Sequence, residues 1–227
     1  MTPPEPNPVA TRADGQQARE RLLRSALACF AARGYGGAST REIAQAAGVN
    51  LSAIRYYFGD KAGLYRAAFR EPLYEGGGKR DMPDNVAADT PAYDVLLHFY
   101  RNFLAPLKQG DEMHLVVRMH FREMVEPTGL WADEIENEIK PEYQAVLAWL
   151  CRHLGLRKPD DDAQRLAFAL VGAAVYWFFG REIVQGIAPQ LIHTPRAIDA
   201  LAERLADYGS AIVRAEAQRR QSCKESR

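Results

Sequence analysis

Residues 39–61 read Ser39-Thr40-Arg41-Glu42-Ile43-Ala44-Gln45-Ala46-Ala47-Gly48-Val49-Asn50-Leu51-Ser52-Ala53-Ile54-Arg55-Tyr56-Tyr57-Phe58-Gly59-Asp60-Lys61, a pattern of two short helices joined by a tight turn. Ser39 with Glu42 three residues on is a capping box, in which each side chain satisfies the other's free backbone N–H at a helix start. Ile43, Ala46 and Ala47 follow at spacings of three and four and so share one face. Gly48 stands where a left-handed residue breaks the helix most easily. Asn50 or Ser52 can cap a second helix whose buried side carries Ile54 and Phe58. Small residues at the crossing and a Gly turn make this a helix-turn-helix pattern. Leu51, Ser52, Ala53 and Arg55 fall at the N-terminal end of the second helix, where base edges would be met. Tyr56, Tyr57 and Lys61 fall along its flank and just past it, where phosphates would be met. The same pattern also fits two packed helices with a solvated Arg and Lys.

The order Thr40-x-x-x-Ile43-Ala44-x-x-Ala47-Gly48-Val49-x-x-x-x-Ile54-x-Tyr56-Tyr57-Phe58-x-Asp60-Lys61-x-x-Leu64 resembles the DNA-binding domain of the tetracycline-repressor (TetR) family. The resemblance runs from about Arg19 to Phe69. It implies that Arg41, Leu51, Ser52, Ala53 and Arg55 approach bases, and that Thr40, Tyr56, Tyr57 and Lys61 hold phosphates. Tyr57 stands where many members have His, which keeps a polar tip. Arg55 stands where several have Tyr or Asn, so no operator sequence carries over.

The chain has 227 residues and no net charge, which taken alone argues against nucleic acid. Its distribution reverses that. Residues 1–70 hold ten basic and five acidic side chains, a basic head on an acidic body. Three cysteines, Cys29, Cys151 and Cys223, show no zinc spacing and no CxxC, and read as reduced thiols of a cytoplasmic protein. The longest apolar run, 166–179, is shorter than the ~18–20 residues that span a bilayer, so it reads as a buried helix and no membrane is expected.

Helical periodicity continues throughout, without strand alternation or internal repeats. The proline-bearing start, 1–15, reads as a disordered tail. A first helix over 16–33 carries Leu22, Leu23, Ala26, Leu27 and Phe30 as one stripe and ends at Gly34. A helix over 62–70, limited by Pro72, completes a head over 16–70. Residues 71–90, with Gly76-Gly77-Gly78, read as a linker. The body, 91–218, is a series of helices in which Pro141 kinks or splits one, another runs from Asp160–Asp162 toward Gly186, and the last spans about 195–218. Residues 219–227 read as a second disordered tail. The fold expected is all-α: an N-terminal three-helix helix-turn-helix domain plus a larger C-terminal helical domain for ligand binding and dimerisation. The segment Arg122-Glu123-Met124-x-x-Pro127-Thr128, followed by the helix with Pro141, is similar to the ligand domain of a TetR subgroup, the cephalosporin- and chloramphenicol-linked (CecR-type) regulators, over about residues 91–210.

No HExxH, GxSxG, Gly-rich phosphate loop or Walker pattern is present, and an enzyme should show a paired nucleophile and base or a metal set. No catalytic residue, metal site or cofactor is therefore expected. His114 and His120 lie six residues apart, about 240° round a helix, and do not share a face. Glu134, Glu136 and Glu138 read as a solvated run. Aromatics of the body beside a few polar groups suit a pocket for an apolar or aromatic effector, with His98, Phe99, Arg118, Phe121, Trp131 and Trp177 as candidate contacts. Leu166, Ala169, Ala173 and Tyr176, with Leu201, Leu205, Tyr208 and Ile212, form stripes on the last two long helices. These suit either the chain's own core or a homodimer built as a four-helix bundle. The resemblance implies a ligand-responsive repressor whose paired heads occupy successive major grooves of operator DNA and which the effector releases. The alternative is a protein-interaction adaptor or an enzyme carrying a helix-turn-helix module.

Overall fold

The computed structural model describes residues 8–74, 82, 90–109 and 111–225. Residues 1–7 and 226–227 of the expected tails, and 75–81 and 83–89 of the expected linker, lie outside the described residues. All regular structure described is helical. The chain divides into two compact units, Met1–Gly76 with Leu115–Trp131, and Gly77–His114 with Ala132–Arg227.

In the first unit α1 (Pro8–Gly37) begins earlier than its apolar stripe and is interrupted at Gly34 (φ 70°, ψ 179°), where the sequence puts its end. α2 (Thr40–Ala46), α3 (Ser52–Phe58) and α4 (Lys61–Tyr74) follow. Leu22, Leu27, Phe30, Leu64 and Phe69 are fully buried and Ile43 nearly so, each worth about 1.5–3 kcal/mol relative to exposure. α1 also supplies the polar ties. Arg19 pairs with Glu71 of α4 at 2.5 Å and lies over the Phe58 ring at 5.1 Å. Arg21 Nε donates to Ala47 O at 3.1 Å, at the end of α2. α4 runs on through Pro72, although proline lacks the N–H that would bond the carbonyl of residue 68.

The second half of α6 (Asp111–Val125) belongs to this unit, although the sequence divides head from body at residue 91. Three links hold it. Tyr65 OH donates to Glu123 Oε2 at 2.8 Å, the Phe69 and His120 rings stack at 3.9 Å, and Arg122 Nη2 donates to Ala32 O at 3.3 Å.

The second unit is built on α5 (Ala92–Leu104) and α11 (Pro195–Glu225), packed along each other. At Gly209 an added Cβ would stand 3.0 Å from Leu96 and 3.1 Å from Leu170, so α11, α5 and α9 (Asp161–Phe179) meet there with no room for a side chain. Tyr100 OH donates to Leu170 O at 3.0 Å. α7 (Leu130–Glu134) passes through a π turn (Ile135–Ile139) into α8 (Lys140–His153). Pro141 therefore sits at the junction of the π turn and α8, where the regular ladder of i to i−4 bonds is already interrupted. Glu134 is 3 % exposed and Glu136 is open to solvent. The solvated-run reading thus fails for Glu134, since residues two apart on a helix point about 200° away from each other. α9 ends at Gly180, and α10 (Arg181–Ile187) leaves at 70°, where the sequence suggests one helix toward Gly186. Among the described residues no single helix is long and apolar enough to cross a membrane. α11 continues past residue 218, because Arg219 and Arg220 are tied to Asp162 and Asp160 at the start of α9.

Candidate nucleic-acid interface

α2 and α3 meet across a turn at Gly48, whose φ is +65°, the left-handed conformation that only glycine takes without strain. Ser39 caps α2 through a long 3.5 Å bond from Glu42 N–H. The return arm of the expected box is replaced, because the Glu42 carboxylate pairs with Arg33 of α1. Asn50 serves α3: its Oδ1 accepts from both the N–H and the hydroxyl of Ser52, each at 2.9 Å. α4 starts so close to the end of α3 that a Cβ on Gly63 would fall 1.9 Å from Phe58 O. Asp60 Oδ1 accepts from Gly63 N–H at 2.7 Å and closes that corner.

On this frame Ile54 is buried and the opposite side of α3 is open. Leu51 is 45 % and Tyr56 81 % exposed, Ser52 and Arg55 are exposed, and Ala53 and Tyr57 are half-buried. Arg41 is exposed on α2 and Thr40 half-buried at its start. Neither Arg41 nor Arg55 makes an ion pair among the described residues, so both guanidinium groups present their charge outward. Lys61 is half-buried, its ammonium 4.7 Å from the centre of the Tyr35 ring, which holds the charge at the edge of the face. That aromatic seat is not legible from the helix-turn-helix spacing, because Tyr35 lies outside the motif, at the end of α1 just past Gly34. All nine residues named from the sequence for DNA lie in this one unit.

The six residues named for an effector divide between the two units. Arg118, Phe121 and Trp131 lie in the first, and His98, Phe99 and Trp177 in the second. Phe99 is 3 % exposed, in a run of rings with Tyr100 and Phe103 at 5.2 and 5.5 Å, and Phe103 meets Phe178 at 5.8 Å. Trp177 is half-buried against the same core. His98 is exposed and bonded to Asn102 at 2.9 Å. Phe121 is 54 % exposed, Arg118 is exposed, and Trp131 is half-buried near His120.

The eight residues named for a dimer also divide. Leu166, Leu201 and Leu205 are 7, 9 and 6 % exposed and belong to the unit's own core, and Ala173 packs on it. Within one chain the apolar surface of the three leucines is already covered, and that of Ala173 in part. Ala169, Tyr176, Tyr208 and Ile212 are exposed. Phe168 at 64 % and Phe179 at 40 % are exposed too. They escape a search for the most regular stripe, but the spacing 168, 172, 176, 179 is itself a helical repeat. Among the described residues no group of three or more His, Cys, Asp or Glu could hold a metal ion.

Residues 22–68 match the bacterial regulatory proteins of the tetR family. Residues 92–215 match the C-terminal domain of the HTH-type transcriptional dual regulator CecR. CecR of Shigella flexneri is 30 % identical over 191 residues, 78 % of this chain and 82 % of that one. The HTH-type transcriptional repressor AcnR of Corynebacterium diphtheriae is 26 % identical over 155 residues, 68 % of this chain and 75 % of its own. Among solved structures, a TetR transcriptional regulator from Chloroflexus aurantiacus superposes with a TM-score of 0.58 at 19 % identity, covering 86 % of this chain and 96 % of that one. A transcriptional regulator from Rhodococcus sp. Rha1 gives 0.55 at 18 % identity, covering 84 % and 94 %. These relatives are transcriptional regulators and not enzymes. With an open α3 at its head and a matching body over more than half its length, the chain belongs to the TetR family of transcriptional regulators, with a C-terminal domain of the CecR type.

Proposed function

We propose that this regulator is a repressor that binds operator DNA as a homodimer and leaves it when a small apolar or aromatic molecule occupies the body. The observation that carries the DNA part is the open side of α3: exposed Leu51, Ser52, Arg55 and Tyr56 beside an exposed Arg41. Base-edge and phosphate groups stand together there on a short helix braced by α1 and α4. Dimerisation is supported by the exposed apolar residues of α9 and α11. Ala169 of α9 and Ile212 of α11 line one groove of about 480 Å³, together with Leu166 and Ala215 and the charged Asp162, Arg165, Glu216 and Arg219. An effector in the body is supported by the aromatic side chains gathered around Phe99, Phe103 and Phe178, residue types that suit an apolar ligand. Release would follow from tighter effector binding to a state whose heads are wrongly spaced.

The test is selection of duplexes from a randomised pool by the full-length protein, followed by titration at several salt concentrations. Repeated recovery of one palindromic sequence, with affinity falling steeply as salt rises, is the expected result. Retention of no duplex above background would remove the DNA-binding reading.

A further inference from the structure

We propose that Ser52 reads the amino edge of a base pair: its hydroxyl accepts a hydrogen bond from adenine N6 or cytosine N4 at one position of each half-site. The proposal rests on the DNA-binding reading above and adds what one side chain demands of the sequence. A serine hydroxyl alone is ambiguous at a base edge, because it can donate or accept. Asn50 removes the ambiguity. The Ser52 backbone N–H donates to Asn50 Oδ1 at 2.9 Å. A backbone N–H bonds only an acceptor, so the carboxamide turns its oxygen, and not its NH2 group, toward Ser52. Ser52 Oγ lies 2.9 Å from that same oxygen. Two oxygens this close need a proton between them, and the amide oxygen has none to give. The hydroxyl proton is therefore committed to Asn50.

What Ser52 offers outward is lone pairs alone. In the major groove the amino groups of adenine and cytosine are the donors, while guanine O6 and N7 and thymine O4 are acceptors. An acceptor-only serine would meet the latter lone pair to lone pair. Ser52 is exposed, and so are Leu51 and Arg55 beside it, which leaves the hydroxyl open to a duplex. The degeneracy this implies is distinctive: adenine and cytosine interchange on one strand, whereas adenine and guanine do not.

The test begins with the selected half-site. Ser52→Ala keeps the backbone bond to Asn50 and should relax one position, where the unmodified protein tolerates adenine and cytosine on the same strand. At that position, purine in place of adenine, or 2-pyrimidinone in place of cytosine, deletes the amino group alone. The unmodified protein should then bind about three- to tenfold more weakly, the worth of one neutral hydrogen bond, and Ser52→Ala should lose nothing further. Asn50→Ala frees the proton and should admit guanine or thymine. The proposal falls if the unmodified protein ignores the deletion, if Ser52→Ala is equally sensitive to it, or if Asn50→Ala leaves the preference unchanged. In each of those cases a selected half-site leaves the DNA-binding reading standing. Failure to select any sequence removes both.

Discussion

Glu123 is fully buried, yet its carboxylate is not stranded. Tyr65 OH donates to one oxygen at 2.8 Å, and the N–H and hydroxyl of Thr128 donate to the other at 2.6 and 2.8 Å. Burial first, and the Glu123 hydrogen bond second, push the Tyr65 phenol up from its ordinary value, so it remains a donor at any ordinary pH. Tyr65→Phe leaves the carboxylate short of a donor and should lower stability by about 1–3 kcal/mol. Urea unfolding should show a lower midpoint at unchanged slope; an unchanged midpoint would remove the bond from any stabilising role. On the outer face, two cations stand in different surroundings. Lys61 is anchored over Tyr35, at the margin, and Lys61→Ala should weaken binding to all duplexes alike. Arg55 is exposed on α3 and makes no ion pair among the described residues, and Arg55→Ala should relax one position of the selected site at about 1–3 kcal/mol if it reads a base. Full retention of that preference in a selection experiment would contradict the base-reading role.

At the scale of the element, the start of α9 and the end of α11 form one charged staple. Arg220 bonds both oxygens of Asp160, at 2.7 and 2.8 Å, and Arg219 meets Asp162 at 2.7 Å. Asp160 also caps α9 by accepting from Ala163 N–H at 2.9 Å. The Arg220 hydrogen bond first, then that of Ala163, hold the Asp160 carboxyl well below the usual carboxylate range. A carboxyl depressed in the folded state stabilises above its unfolded value of about 3.9 and loses that contribution as pH falls through the folded one. These groups are partly exposed, so the pair is worth about 1 kcal/mol or less. The expected outcome is local: amides of residues 214–225 should exchange faster as pH drops below about 4, once exchange rates are corrected for pH. Asp160→Asn, which keeps the cap and removes the charge, should show that fraying already at neutral pH. Equal protection in both proteins would make the staple ornamental. This staple also marks what could and could not be read beforehand. The helices were legible from their apolar stripes and from Gly34 and Gly48, because those signals are local. The true end of α11 was not, because the partners of Arg219 and Arg220 lie 57 and 60 residues away. The bond from Tyr65 to Glu123, 58 residues distant, hid the membership of α6 in the same way. The open face of α3 was legible, since one buried residue, Ile54, fixes the side of so short a helix.

For the whole molecule, the deciding fact is that α9 is apolar on two sides. Ala163, Leu166, Ala167, Leu170 and Ala174 fill the core of its own unit, while Phe168, Tyr176 and Phe179 face outward. A periodicity search finds both sides and cannot say which one the monomer covers, which explains why the dimer set drawn from sequence mixed them. α11 repeats the arrangement, with Leu201 and Leu205 inside and Tyr208 and Ile212 outside. Helices apolar all round are ordinarily buried on both sides, and large exposed apolar patches ordinarily mark an interface. A two-fold axis through this patch would set α9 and α11 against their own copies, since an isologous contact uses one surface twice. Substitutions on the two sides should therefore part company. Leu205→Glu puts an unpaired charge into the core and should destabilise the fold by about 3–5 kcal/mol. Phe168→Glu and Ile212→Arg add charge to a surface that is open in one chain, and should leave helix content intact while producing monomers. If the heads act in pairs about 34–36 Å apart, those monomers should lose specific DNA affinity. Their log–log salt slope should fall to about half, because half of the phosphate contacts go with the partner. Sedimentation that finds the unmodified protein monomeric at micromolar concentration, and bound to its selected site as a single copy, would overturn both the dimer and the spacing mechanism built on it.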